Sequence, residues 1–232
     1  MTSERISVSV NEGFFDAYLS FPKEEEGPGV LLIQEIFGVN DHIRAVADRL
    51  AEEGYVVLAP DIFWRMKPNI ELGYEGEDRE AALRYYERFD EEQAMVDLKH
   101  AANALRNHRA CTGRIAAMGF CLGGKLTFRL AAQTNLNAAI SYYGGKVENH
   151  LAEADKIKCR LMMHFGGKDK SIPESALNKI KENLASKSNV SIHVYEDADH
   201  GFNCDARATY SKEAADLAWE RSLEVLADEL KK

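Results

Sequence analysis

The sequence predicts an α/β fold, with a mainly parallel central sheet, helices on both faces and an antiparallel β-hairpin at the amino terminus. Three observations predict it. Short apolar runs of strand length recur along the chain, at Gly29–Ile33, Tyr55–Ala59, Ala138–Tyr143 and Arg160–Phe165. Between them lie stretches with helical spacing, such as residues 41–53, where Ile43, Val46, Ala47 and Leu50 share one stripe. Strands that alternate with helices pair in parallel and are covered on both sides. Finally, Ile6–Val10 and Phe14–Leu19 alternate around Asn11-Glu12-Gly13, the pattern of a hairpin.

The elements follow in order. Gly29–Ile33 is continuously apolar and reads as a strand buried on both faces. Tyr55–Ala59 is a strand closed by Pro60, and residues 66–76 form an irregular loop of the kind that often borders a site. Residues 77–109 read as helical with a break near Phe89-Asp90. Gly113–Met118 is a short buried strand and Lys125–Ala132 a helix. A helix from Pro173 to Ala185, a last strand at Val190–Tyr195 and a closing helix over 211–230 complete the pattern. Lys23-Glu24-Glu25-Glu26 is a solvated turn. There are no repeats, and a single domain over 1–232 is expected.

Composition narrows the function. The 232 residues are 45% hydrophobic, enough for a substantial core. A net charge of −9 argues against nucleic acid, whose phosphates would repel the molecule. It does not exclude a small anion, because one local arginine outweighs distant charge. No run approaches the roughly 18 apolar residues of a membrane span. Residues 1–5 lead into an alternating segment without a signal-peptide core, so a cytoplasmic location is expected. Cys111, Cys121, Cys159 and Cys204 show no CxxC pairing, and HxxxH and HExxH patterns are lacking. Free thiols are expected, with no metal and no cofactor. The sequence does not set the oligomeric state, and a monomer is compatible with it.

The chemistry centres on Gly119-Phe120-Cys121-Leu122-Gly123-Gly124. Strand, tight turn and helix around a G-x-nucleophile-x-G match make a nucleophile elbow, here with cysteine in the place usual for serine. Sites in parallel sheets lie at the carboxyl ends of strands. That rule selects Asp169 in Phe165–Asp169 and His200 in Asp197–Phe202, giving the α/β-hydrolase chain order of nucleophile, acid, histidine. Asp169 would fix the histidine tautomer, and His200 would hold Cys121 as thiolate. Asp169 could instead only cap its turn, and Asp197 and Asp199 compete for its role. His164, inside a strand, reads as a satisfied core histidine, whereas His42, His100, His108, His150 and His193 have surface or helix-face readings. Glu35 ends the third strand on the same rim, where a carboxylate is costly unless paired or functional; it could also only bond its loop. The backbone N–H groups of Ile36 and Leu122 are the candidates for an oxyanion hole.

Together these pieces resemble the dienelactone hydrolase (carboxymethylenebutenolidase) family. The resemblance rests on Gln34–Gly38, Ala59-Pro60-Asp61, Gly119–Gly124, Ser141–Gly144, His164–Asp169 and His200-Gly201-Phe202, in order from Gly29 to the closing helix. It implies an α/β-hydrolase that opens a carboxylated enol-lactone, a small anionic substrate, to give maleylacetate. It places the triad on Cys121, Asp169 and His200, and an active-site glutamate that holds the resting thiol on Glu35. It also raises Arg79, an ordinary helix-surface charge by sequence alone, to a substrate-carboxylate ligand, and makes Tyr143 a candidate substrate contact. Two positions depart from the family. Its second anion-binding arginine falls on Cys204, with Arg207 close by as a substitute, and a substrate tyrosine falls on Leu83. The rivals are a broader carboxylesterase or lactonase, a redox-sensing thiol protein without catalysis, and a nucleotide-binding fold. The last would need glycine where Cys121 stands.

Overall fold

The structure, a computed structural model, describes residues 2–231. Eight strands form a sheet in the order β1-β2-β4-β3-β5-β6-β7-β8. These are β1 (Thr2–Val10), β2 (Gly13–Phe21), β3 (Gly27–Ile33), β4 (Val56–Pro60), β5 (Cys111–Phe120), β6 (Ala138–Tyr142), β7 (Arg160–Gly166) and β8 (Val190–Tyr195). β1 with β2 and β2 with β4 are antiparallel, while β3–β4, β5–β6, β6–β7 and β7–β8 are parallel. Every residue of β3, β4 and β6 is buried, as parallel strands covered on both faces must be. Packing divides the chain into two compact units, one running to Ile115 and the other starting at Ala116, so the division falls within β5.

The first unit carries the hairpin, α1 (Asp41–Glu52), α2 (Gly76–Glu87) and α3 (Glu91–Arg106). The helical stretch breaks at residues 88–90, where Asp90 caps α3 by accepting from the Gln93 N–H at 3.0 Å. Its buried face includes Leu98 and Leu105 and also the carboxylate of Asp97, which is 2% exposed. Arg65 grips Asp97 through two bonds of 2.9 Å, and the indole of Trp64 donates to it at 2.8 Å. The irregular loop after β4 is tied down as well. Asp61 accepts from the N–H groups of Phe63 and Asn69 at 2.9 and 2.6 Å. The Leu72 N–H donates to the Phe37 carbonyl at 2.9 Å, and Gly38 bridges Glu71. Gly38 has φ +84°, and a Cβ there would lie 1.7 Å from the Ile70 carbonyl oxygen. Only glycine lets these two loops meet.

The second unit holds α4 (Leu122–Gln133), α5 (Glu174–Leu184) and α6 (Lys212–Leu230) beside β6 to β8. α4 starts three residues earlier than its apolar pattern predicts, because the turn at Cys121 passes straight into it. Residues 122–131 of this helix are all buried, including Lys125 and Arg129. Arg129 is matched there by Glu153 at 3.0 Å. Two short 3-10 turns, Val147–Asn149 and Leu151–Lys156, replace what reads in the sequence as plain connection. β6 stops at Tyr142 because Tyr143 turns to φ +37°. Among the described residues no helix is long and apolar enough to cross a membrane.

Candidate active site

Cys121 is the residue between β5 and α4, and its backbone sits at φ +54° and ψ −113°. A side-chain-bearing residue at positive φ is strained and persists only where the surroundings impose it. The surroundings are visible. The Cys121 N–H donates to the Tyr142 carbonyl at 3.0 Å, and its own carbonyl accepts from the Lys125 N–H at 3.2 Å. A Cβ on Gly119 would stand 2.2 Å from the Gly123 carbonyl oxygen, so the sharp turn is closed to any larger residue. Leu122 is the first residue of α4, which places the positive end of that helix at the thiol.

Asp169 and His200 stand in the loops after β7 and β8. Asp169 Oδ2 lies 2.7 Å from His200 Nδ1, while Oδ1 accepts from the Ser171 N–H at 2.7 Å. Of the three candidate aspartates, Asp169 is the one whose side chain meets the His200 ring. Asp199 accepts from the His200 backbone N–H at 2.6 Å, and Asp197 pairs with Lys168 at 2.7 Å on the surface. The imidazole also hydrogen-bonds to the Cys121 side chain. Burial opposes a charge on His200. The neighbouring Cys121 and the hydrogen bond to Asp169 outweigh that and push its pKa up to about 10. The other thiols differ. Burial pushes Cys111 up and Cys159 up to about 11, so neither is a nucleophile near neutrality, and Cys204 is fully buried.

His200 has several close neighbours, of which Thr209 carries no signal in the sequence. Thr209 donates to its carbonyl at 2.7 Å, and the Tyr143 ring stands 5.1 Å from the imidazole. Phe202 packs against Tyr143 at 5.3 Å and Tyr195 at 5.1 Å. Such contacts join residues distant in sequence, so no local pattern announces them. Arg207 lies over the next residue of the loop, since a Cβ on Gly201 would be 2.3 Å from its Nη1. His164 is fully buried and hydrogen-bonded, as a core histidine should be. His193 departs from the surface reading: it is half-buried in β8 and stacks on His164 at 5.6 Å.

In the first unit, Glu35 stands two residues beyond β3 and is 1% exposed. Its loop is held by the contacts of Gly38 and Phe37 described above, and the Phe37 ring meets that of Tyr74 edge-on at 4.5 Å. Ile36 is half-buried in the same loop. Arg79 and Leu83 lie one turn apart on α2, both exposed to solvent.

Several known proteins are similar to this chain in sequence and fold. The family model described as the dienelactone hydrolase family matches residues 15–230. A carboxymethylenebutenolidase of Pseudomonas putida is 33% identical over 229 residues, which cover 98% of this chain and 97% of that protein. Carboxymethylenebutenolidase 1 of Cupriavidus pinatubonensis is 34% identical with the same coverage. A crystal structure from Klebsiella pneumoniae, provisionally named a dienelactone hydrolase, superposes with a TM-score of 0.88 at 31% identity over 97% of this chain and 98% of that one. The chain belongs to the dienelactone hydrolase family and is a carboxylic-ester hydrolase.

Proposed function

We propose that residues 1–232 act as one catalytic domain that opens a carboxylated enol-lactone, dienelactone to maleylacetate, through a thioester on Cys121. The observation that carries this reading is the chain of contacts from the strained thiol to His200 and on to Asp169 at 2.7 Å. The Cys121 sulfur attacks the lactone carbonyl, and the oxyanion rests on backbone N–H groups, for which Leu122 and Ile36 are the candidates. The ring C–O bond breaks and the enolate leaves, taking the proton of the His200 imidazolium as it becomes the ketone. An enolate is a good leaving group, which suits a thiol nucleophile. His200 then removes a proton from water, the hydroxide attacks the thioester, and the thiolate departs. Glu35 enters from the family resemblance, as the group that holds the resting thiol and accepts its proton. Arg79 and Arg207 are the candidate ligands of the substrate carboxylate, and Tyr143 a candidate contact. The position of Arg207 beside the His200 loop supports it in place of the arginine absent at the buried Cys204.

That same departure favours a second reading, a broader esterase or lactonase acting on substrates without the second carboxylate. Spectrophotometric loss of dienelactone, compared with that of a neutral ester, separates the two. Arg79→Ala should cost about 1.5–3 kcal/mol against the carboxylated lactone and little against the neutral ester. Equal kinetics on both substrates, before and after the substitution, would support the broader activity instead.

A further inference from the structure

The proposed reaction makes no use of the most elaborate buried polar network in the second unit, which centres on His164. Its ring stands in β7, register-paired with Tyr142 of β6, and is wholly buried. Nδ1 lies 2.9 Å from the Tyr195 hydroxyl and Nε2 lies 3.1 Å from the Ser222 hydroxyl. Ser222 Oγ is also 2.8 Å from the Tyr142 hydroxyl and 2.7 Å from the Ala218 carbonyl. Arg221 Nη1 donates to the Tyr195 hydroxyl at 3.2 Å.

The proton positions follow by elimination. Two oxygens 2.7 Å apart need a proton between them, and a carbonyl has none to give. The single hydroxyl proton of Ser222 therefore points at Ala218. Ser222 Oγ can then only accept from its two other neighbours, so Tyr142 O–H donates to it and His164 Nε2–H donates to it. A neutral ring with its proton on Nε2 has an acceptor at Nδ1, which takes the proton of the Tyr195 hydroxyl. The Tyr195 oxygen in turn accepts from Arg221. Each of these contacts then has one donor and one acceptor, and one tautomer satisfies them together. Burial, and after it the charges of His193 and Arg221, push the His164 pKa down, in keeping with a neutral ring.

The network reaches the elbow through the backbone of the residues it holds. Tyr142, whose hydroxyl is fixed by Ser222, presents its carbonyl to the Cys121 N–H at 3.0 Å. The His164 carbonyl accepts from the Tyr143 N–H at 2.7 Å, and the Tyr143 ring lies against His200. Phe202, in the His200 loop, packs among Tyr142, Tyr143 and Tyr195. Cys121 and Tyr143, each at positive φ, are thus tied to groups whose orientation His164 sets. We propose that His164 is a positioning residue for the Cys121–His200 pair, acting as the Nε2–H tautomer that locks Ser222 and Tyr142 behind the elbow. The proposal rests on the reading of Cys121 and His200 as the reacting pair.

Three variants test it: His164→Phe, His164→Gln and Ser222→Ala. A displacement of about 1 Å at a reacting group costs on the order of 10- to 100-fold in rate. His164→Phe and Ser222→Ala should therefore lose that much in kcat on an activated ester, with KM little changed, and should shift the pH profile of Cys121 alkylation. His164→Gln should recover most of the loss, because its amide Nε2 can donate to Ser222 in place of the ring. A general loss of packing would not be rescued in this way. If His164→Phe does not fold, Ser222→Ala removes one oxygen from a helix and carries the same comparison. Long-range ¹H–¹⁵N spectra of the parent should show His164 neutral and protonated on Nε2. Protonation on Nδ1, or parental kcat and alkylation in both His164→Phe and Ser222→Ala, would overturn the proposal. Alkylation does not depend on lactone turnover. A parent that fails to open dienelactone, yet loses its alkylation profile on substitution of His164, would sink the proposed function and leave the positioning role standing.

Discussion

At the scale of single residues, the site is made by backbone strain held in place. Cys121 occupies a φ of +54° because its neighbours leave no alternative, and in that turn Gly119 leaves even less room for a Cβ than Gly124 does. Gly119→Ala would force a Cβ to 2.2 Å from a carbonyl oxygen in a buried turn. Overpacking of this kind costs about 1–3 kcal/mol or more, so a lowered urea midpoint together with loss of ester hydrolysis is expected. A variant with parental stability would mean that the turn can open. Asp169→Asn tests the other end of the chain of contacts. The amide cannot offset an imidazolium, so the His200 titration should fall below about 10 and kcat should drop by roughly 10²- to 10⁴-fold. Titration of the His200 ring by NMR, run beside the kinetics, reads both effects. These residues were largely legible in the sequence, because an elbow is a local motif and chain order supplies its partners. The strand-end rule and chain order already select Asp169 over its rivals Asp197 and Asp199, and what they cannot encode is the placement that separates a surface ion pair, a backbone bond and a ring bond.

At the scale of elements, the strands and helices appear where period and length put them, and the differences have local causes. α4 begins at Leu122 because the strained turn needs no linker. β4 includes Pro60, which pairs with Ala17 of the antiparallel β2. The pinned loop of the first unit was visible only as an absence of periodicity. Its ties through Gly38 and Asn40 link residues some thirty positions apart, beyond what a local pattern can encode. The same holds for Asp97, which reads as a polar interruption of an amphipathic helix and is in fact the buried partner of Arg65 and Trp64. Removing one partner of a buried ion pair costs about 3–5 kcal/mol, the lower end applying here because Arg65 is 28% exposed. Asp97→Ala should accordingly lower the unfolding free energy by about 3 kcal/mol, as read by urea denaturation. An effect below about 1 kcal/mol, the range of surface pairs, would show that the carboxylate is not held as described.

For the whole molecule, two buried groups with raised pKa values weaken the fold as pH rises. Asp61 is pushed up to about 6, by burial first and by the charge of Asp16, against the pull of two N–H donors. His200 is pushed up to about 10. In both cases the folded state binds its proton more tightly than the unfolded chain does. The stabilisation is complete below the unfolded value and is lost as pH rises through the folded one. Taken by themselves, Asp61 should lower stability from about pH 4 to 6 and His200 from about 6.5 to 10, while the depressed His164 acts in the opposite sense below the usual histidine range. Urea midpoints should fall from about pH 6.5 to 10. Asp61→Asn should flatten the lower window, and Asp169→Asn should shrink the upper one. A midpoint that rises steadily from pH 6.5 to 10 would contradict the charge assigned to His200. The net charge of −9, which grows more negative with pH, acts in the same direction. The central claim, acyl transfer through Cys121, is tested most directly by mass spectrometry of protein quenched during early turnover of an activated ester. The account predicts an acyl adduct on the peptide that carries Cys121, and none in Cys121→Ala together with loss of turnover. Undiminished turnover by Cys121→Ala, with no adduct on the parent thiol, would contradict it.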